Sequence, residues 1–161
     1  MKNLEEFNKK VKENDYYIYR NNFRDNYTFL EKYCKENFKN KNVHNCLPQN
    51  FNFINETEIY EKTKNLTDLE YIKDNNYEFK VNPTVEKSTN LLREAFANQE
   101  NGSVNEDELN KSIFLLLKQV RDNLIHDGKF DLEENQFNRN YEITKISSEM
   151  TDLIINKLNH K

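Results

Sequence analysis

Glycine and proline are nearly missing from this sequence, which limits how often the chain can turn. Its 161 residues include two Gly and two Pro, whereas a β fold needs frequent turns in which these residues dominate. Its hydrophobic residues recur three and four positions apart, as on one face of a helix. The sequence therefore predicts an all-α protein, an up-and-down bundle of four to five main helices.

The composition is polar but compatible with one folded domain. Charged residues make up 32% of the chain and hydrophobic residues 35%, which approaches the range where disorder becomes a concern. Nine Tyr and eleven Phe oppose disorder, because each aromatic ring buries a large area. We expect a single domain over 1–161, with N-terminal helices and an Asn-rich loop in 1–79 and a helical core in 80–160.

The apolar periodicity sets the expected element boundaries. Helices are predicted over 3–13 and 15–38 with room for a break between them, over 56–76 as one or two segments, and over 84–101 and 141–159. Residues 39–55, which contain Pro48, are interpreted as a loop, and 129–139 as a polar connection. The strongest start signal is Asn105 followed by Glu108, a capping box that opens a helix ending near Gly128.

Charge, cysteines and hydropathy exclude several classes of protein. A formal net charge of −4 argues against a protein that coats nucleic acid, although it permits a locally basic cleft. Cys34 and Cys46 have no zinc-finger spacing, so two reduced thiols are expected. Neither a signal peptide nor an apolar run of about 20 residues is visible. These features predict a cytoplasmic protein that does not span a membrane.

The residue types best suited to chemistry lie together at 120–129. Arg121 can hold the charge of a phosphate in its planar fork, and His126 can move protons near neutral pH. Asp122 lies about 40° from His126 on an ideal helix and could orient the imidazole, whereas Arg121 lies about 140° away from His126. Both could reach one phosphate if the helix loosened before Gly128, or if two copies shared a cleft, which we favour. The alternative is a solvated Arg and a His that caps a helix C-terminus.

The string Val-Arg-Asp-Asn-Leu-Ile-His-Asp-Gly-Lys-Phe at 120–130 resembles the signature of the HEPN superfamily, in which Arg, a polar residue and a His lie late in a helix. The resemblance covers about 80–160. It implies a metal-independent endoribonuclease of a toxin or host-defence system, acting as a homodimer, although some members only bind RNA or partners. It further implies that Arg121 stabilises the transition state, that Asp122 orients His126, and that His126 activates the RNA 2′-OH or protonates the leaving oxygen.

Several further residues are candidates for supporting roles. Asn123 could shape the site, and Lys118 and Lys129 could add positive potential for RNA, although solvated lysines are common. Gly128 stands where HEPN toxins with a nucleotidyltransferase antitoxin often carry a modified Tyr, so any antitoxin or regulatory protein is expected to act differently. His44 and Cys46 could begin a metal site, but no further ligands are evident, and no cofactor is expected. The competing functions are a non-catalytic module that binds RNA, a nucleotide or a protein, and a purely structural bundle.

Overall fold

The computed structural model describes residues 2–40, 42–68, 83–97, 106–126 and 134–160, and all of the regular secondary structure in them is α-helix. The all-α prediction is thereby confirmed. The helices number six in these ranges instead of four or five, and they are α1 (Lys2–Phe38), α2 (Val43–Asn50), α3 (Thr57–Asp68), α4 (Pro83–Ala97), α5 (Glu106–His126) and α6 (Glu134–Asn159). None of the helices described is long and apolar enough to cross a membrane.

The six helices form a closed ring of neighbours. Around the ring, α1 contacts α6, α6 contacts α3, α3 contacts α4, α4 contacts α5, α5 contacts α2, and α2 contacts α1. Helices α1 and α6 run parallel. Lys12 hydrogen-bonds Asn138 and, further along both helices, Asn26 hydrogen-bonds Thr151. Helices α3 and α6 are antiparallel, because Lys62 pairs with Glu149 while Glu56, just before α3, pairs with Lys157. This arrangement surrounds one hydrophobic core.

The core consists largely of the residues that the helical spacing selects. The three- and four-residue apolar spacing selects four buried side chains on the first helix, and the central and last helices supply most of the rest: Phe23, Tyr27, Leu30, Cys34, Leu109, Ile113, Leu116, Leu117, Val120, Ile143, Ile146, Met150, Ile154 and Leu158. Tyr33, Phe38 and Leu153 are partly buried at its edge. Periodicity therefore identifies the inward face correctly, because burial of that face is the main contribution to helix stability in a protein.

The first helix is longer than predicted and contains no break. Helix α1 runs without interruption through Asn14 and Asp15, where a break was allowed. On one side of this point Lys12 bonds Asn138 of α6, and on the other Tyr19 packs edge-on against Tyr141. Because α6 holds both sides in register, the weak helix propensity of Asn and Asp is overridden.

Helix α2 lies inside the segment that was interpreted as a loop, so that prediction was wrong. It contains Pro48, which normally breaks a helix because it lacks an N–H. Val43, Cys46, Leu47 and Pro48 are all buried. Tertiary burial of this face outweighs the missing hydrogen bond, and helix propensity alone could not reveal it.

Helix α6 begins at Glu134, within the predicted polar connection of 129–139, so residues 134–139 were also misassigned. The bond from Lys12 to Asn138 accounts for the extra turn, since α1 offers α6 a surface that begins this early. Several predicted features lie outside the described residues: Asn105 of the capping box, Gly128 at the helix stop, and residues 69–76 and 98–101.

A buried asparagine connects the α2–α3 segment to the central helix. The side-chain oxygen of Asn110, which is 1% exposed, accepts hydrogen bonds from the backbone N–H groups of Phe53 and Ile54, at 3.0 and 2.8 Å. Its amide nitrogen donates to Asn52 at 3.2 Å. One side chain thus satisfies two backbone donors that have no helical partner.

We expect Asn110→Ala to lower the free energy of unfolding by about 2–4 kcal/mol, because two buried N–H groups lose their acceptor. Chemical denaturation monitored by circular dichroism measures the change. The matched control is Asn65→Ala, an exposed asparagine on α3, which should change stability by less than about 0.5 kcal/mol. Equal effects of the two variants would contradict the role given to Asn110.

Candidate functional site at the end of helix α5

The backbone of the predicted motif is helical from Val120 to His126, where the described stretch ends. Helix α5 continues through His126, so it does not loosen before that residue. Positions 121 and 126 therefore lie about 140° apart around the axis of this helix. The side chains of His126 and Asn123 and the whole of Lys129 lie outside what the structure describes. Arg121, Asp122 and Lys118 are described.

Arg121 lies in a cluster formed by α1 and α5. Its guanidinium carbon is 4.5 Å from the centre of the Tyr27 ring, so the charged plane lies over the aromatic face. Its Nη1 atom is 3.0 Å from a carboxylate oxygen of Glu31. Its Nε and Nη2 atoms donate to Asp122 Oδ1 at 3.3 and 3.1 Å. These contacts hold the side chain firmly. Because 24% of it is exposed, it still reaches the surface.

This cluster favours the charged form of Arg121. Burial alone would lower the pKa of Arg121, but Tyr27, Asp122 and Glu31 outweigh that effect and leave it above its ordinary value. Burial also raises the pKa of the Tyr27 phenol, with Glu31 and Asp122 adding to the rise and Arg121 opposing it. The tyrosine therefore stays neutral and the guanidinium stays positive over the physiological range.

Two members of the cluster were not identified from the sequence as site residues. Tyr27 lies in the apolar spacing of the first helix and was interpreted first as core, with base stacking on one or two of these aromatic residues left open, and Glu31 was not singled out. They lie four residues apart on α1 and so share one face of it. Nothing in the local pattern connects this face to Arg121, because the two are 90 positions apart and only the packing of α1 on α5 brings them together.

The predicted role of Asp122 is only partly described. Its Oδ1 atom accepts hydrogen bonds from Arg121, so within the described residues it orients the arginine. Its predicted contact with His126 lies outside the described side chains and stays a prediction. A carboxylate has about four acceptor positions, so one contact does not preclude the other.

A group of basic side chains lies where α2 meets α5. His44, the second residue of α2, is close enough to Lys118, Lys111 and Arg121 that all three lower its pKa, after the larger effect of burial. His44 and Lys118 are half-buried and Lys111 is exposed. We call His44, Lys111 and Lys118 the basic face. His44 was considered from the sequence only as a metal ligand, so this placement assigns it a different neighbourhood.

The cysteines are free and buried, in agreement with the predicted thiols. Cys34 and Cys46 hydrogen-bond each other, and Cys46 also approaches the backbone oxygen of Asn40 at 3.7 Å. Burial raises the pKa of Cys34 to about 12, so this thiol is a poor nucleophile. Among the described residues, no three His, Cys, Asp or Glu side chains come together as metal ligands.

Comparisons with family models, with curated proteins and with solved structures find no match to this chain.

The position of His44 predicts a measurable dependence on pH. Its pKa is lowered in the folded state, so the unfolded chain binds the proton first as the pH falls. The resulting contribution to stability is present above the ordinary value of about 6.5 and is lost as the pH falls through the folded pKa. We expect histidine ring signals in NMR titrations, assigned with His44→Gln, to show this low pKa.

The matched variants are Lys118→Gln on the basic face and Lys64→Gln, an exposed lysine on α3. Lys118→Gln should raise the pKa of His44 because it removes a nearby positive charge, and Lys64→Gln should leave it unchanged. An unchanged titration in Lys118→Gln would show that the basic face is not assembled as described.

Proposed function

We propose that this chain is a HEPN-like endoribonuclease that cleaves RNA without a metal ion and acts as a toxin or host-defence effector. The observation that supports the proposal best is the placement of Arg121, which is held in a fixed orientation, partly exposed, beside the basic face and five residues before His126. A fixed cation loses little entropy when it binds a phosphate and needs no reorganisation during the reaction.

The guanidinium retains capacity for a ligand. Of its five N–H donors, three are directed at Glu31 and Asp122, which leaves two outside these contacts. Two parallel N–H groups can hold a phosphate in a bidentate manner. Lys118 and Lys111 would add attraction for neighbouring phosphates of the strand. We assign Arg121 to the charge that develops on the scissile phosphate.

The proton transfers fall to His126. As a base it would take the proton of the RNA 2′-OH, whose oxygen attacks the adjacent phosphorus. As an acid, the His126 of a second copy would give a proton to the departing 5′ oxygen. The products are a 2′,3′-cyclic phosphate and a free 5′-OH, and no metal ion is required. The angle of about 140° between positions 121 and 126 on a regular helix supports sharing of the cleft between two copies.

The first experiment is cleavage of single-stranded RNA in the presence of EDTA. We expect the protein to cut RNA under these conditions, to leave the same sequence in DNA intact, and to produce ends with a cyclic phosphate by mass spectrometry. Arg121→Ala and His126→Ala should each lower the rate by about 100-fold or more. Thermal unfolding of both variants shows whether the loss comes from the site or from the fold.

The controls are Arg24→Ala, an exposed arginine on α1, and His160→Ala near the C-terminal end. Both should cleave at the rate of the unchanged protein. If folded protein cuts no RNA, or if the activity survives both Arg121→Ala and His126→Ala, the nuclease proposal is rejected.

One observation favours a second candidate, a module that binds RNA without cleaving it. Arg121 already has two carboxylate partners and an aromatic one within its own chain, and such a residue can serve mainly to connect α1 to α5. In that case RNA would bind the basic face, and Arg121 would contribute to stability alone. The two candidates differ in what Glu31 does.

Glu31→Gln distinguishes the two candidates. It removes a negative charge from Arg121 while keeping the side chain's shape. If Arg121 contacts RNA, affinity in a filter-binding assay should rise about fivefold, equivalent to about 1 kcal/mol for one charge at this distance. The control is Glu36→Gln, an exposed glutamate on the same helix, which should change affinity far less. Equal affinity in the two variants would exclude Arg121 from the RNA contact.

A further inference from the structure

The first half of α1 carries large apolar side chains that face solvent. Leu4 is 61% exposed, Phe7 62%, Val11 42% and Ile18 63%. At about 100° per residue these four positions fall within an arc of about 60° on the helix. We call them the α1 stripe. Exposed apolar residues scattered singly need no explanation, but four on one face of a helix indicate an interaction surface.

The α1 stripe is separate from the face by which α1 enters the bundle. The inward face contains Tyr16, Phe23 and Leu30, all buried, and its centre lies about 130° away around the helix. Helix α1 is therefore apolar on two sides. In the part of the chain that the structure describes, α6 covers one of these sides and the α1 stripe stays exposed.

The spacing of the stripe is that of a coiled-coil seam. Positions 4, 7, 11, 14 and 18 alternate by three and four residues, as the a and d positions of a heptad do. Asn14 occupies one d position, and Asn21 and Asp25 occupy the next positions of the seam. The apolar seam therefore spans about two heptads and ends before the middle of α1.

We propose that the α1 stripe binds the same stripe of a second copy, with the two α1 helices parallel and in register. Identical rows that face each other across a two-fold axis are complementary by symmetry. In this arrangement Asn14 meets its own mate, and two amides can hydrogen-bond each other. Antiparallel pairing would instead set Asn14 against Leu4 or another apolar residue, which leaves the amide without a partner.

The charges beside the stripe select the same orientation. Lys10 flanks one edge and Asp15 flanks the other, five residues later. In a parallel pair these are g and e positions that face each other across the seam, so each Lys10 lies near the Asp15 of the other copy. In an antiparallel pair centred on the stripe, the two Lys10 residues would approach each other. The parallel pair therefore brings opposite charges together, whereas the antiparallel pair brings like charges together.

The size of the stripe predicts a modest affinity. The exposed parts of its four side chains amount to about 450 Å² per copy, so the two stripes bury at most about 900 Å² of apolar surface, in the range of weak, transient interfaces below about 1,200 Å². Flanking side chains add to this area. We expect a dimer that dissociates at micromolar concentration.

This pairing is distinct from the two-fold cleft of the nuclease proposal. Tyr27 and Glu31, which hold Arg121, lie about 150–170° around α1 from the centre of the stripe. A dimer formed through the stripe therefore leaves the two Arg121 clusters on its outer sides. Either proposal can fail while the other stands.

The first test measures molar mass by sedimentation equilibrium over a range of concentrations. The double variant Phe7→Lys/Ile18→Glu should halve the mass at concentrations where the unchanged protein is paired. The control Glu6→Lys/Lys9→Glu also leaves net charge unchanged, and it alters two exposed residues outside the stripe; it should associate normally. Circular dichroism verifies that both variants are folded. The proposal is overturned if the unchanged protein stays monomeric at concentrations about 100-fold above micromolar. It is also overturned if Phe7→Lys/Ile18→Glu does not change the mass.

The second test examines orientation. With oxidised glutathione, two Asn14→Cys chains should form a disulfide across the seam, consuming two thiols and releasing two molecules of reduced glutathione. A band of twice the chain's mass on a non-reducing gel reports it. Lys9→Cys, about 170° from the stripe, is the control. If Asn14→Cys crosslinks no faster than Lys9→Cys, the parallel in-register pairing is wrong.

Discussion

The packing of α6 along α1 is the contact on which the rest of this structure depends. It joins the two longest helices in parallel, with buried apolar residues at its centre and a row of side-chain hydrogen bonds beside them. In that row Asn22 donates to Ser148, and Asn26 donates to Thr151 and Asp152. Apolar burial provides most of the stability, while the polar row permits only one register, because a shift by one residue would leave the amides without acceptors. The length of α1 then determines where α2 and α5 can pack.

The Arg121 cluster is a consequence of that arrangement. With α1 held by α6, its next turns present Tyr27 and Glu31 to α5, and Arg121 fills the space between them. The same contacts suit a catalytic arginine and a structural one, because orientation by carboxylates stabilises the cation in both cases. Its partly exposed position and the nearby basic face support the proposed role in phosphate binding. The proposals for α1 and α5 concern different surfaces of the chain: the stripe pairs with the stripe of a second copy, whereas the cluster binds RNA in a separate cleft that two copies share.

Most of the fold and part of the site could be predicted from residue spacing. The inward faces of α1, α5 and α6 follow from apolar residues three and four apart, and Arg121, Asp122 and Lys118 were selected by their chemistry. Helix α2 was missed because Pro48 lowers local propensity, while the burial that compensates comes from other helices. Glu31 was missed as a site residue, and His44 was considered only as a metal ligand, for a related reason. Their neighbours Arg121 and Lys118 are more than 70 positions away, and no local pattern records such proximity.

Residue order alone was enough to establish that this chain is all-α, which faces are buried, and that an Arg and a His share one helix about 140° apart. These properties depend on the chain's few breakers and on the period of its side chains, both of which are local. The packing of the helices against one another determined the remaining features: the uninterrupted α1, the helical turn around Pro48, the carboxylates around Arg121 and the exposed stripe on α1. Each of these depends on the free energy of contacts between residues distant in sequence, which exists only once the helices have packed.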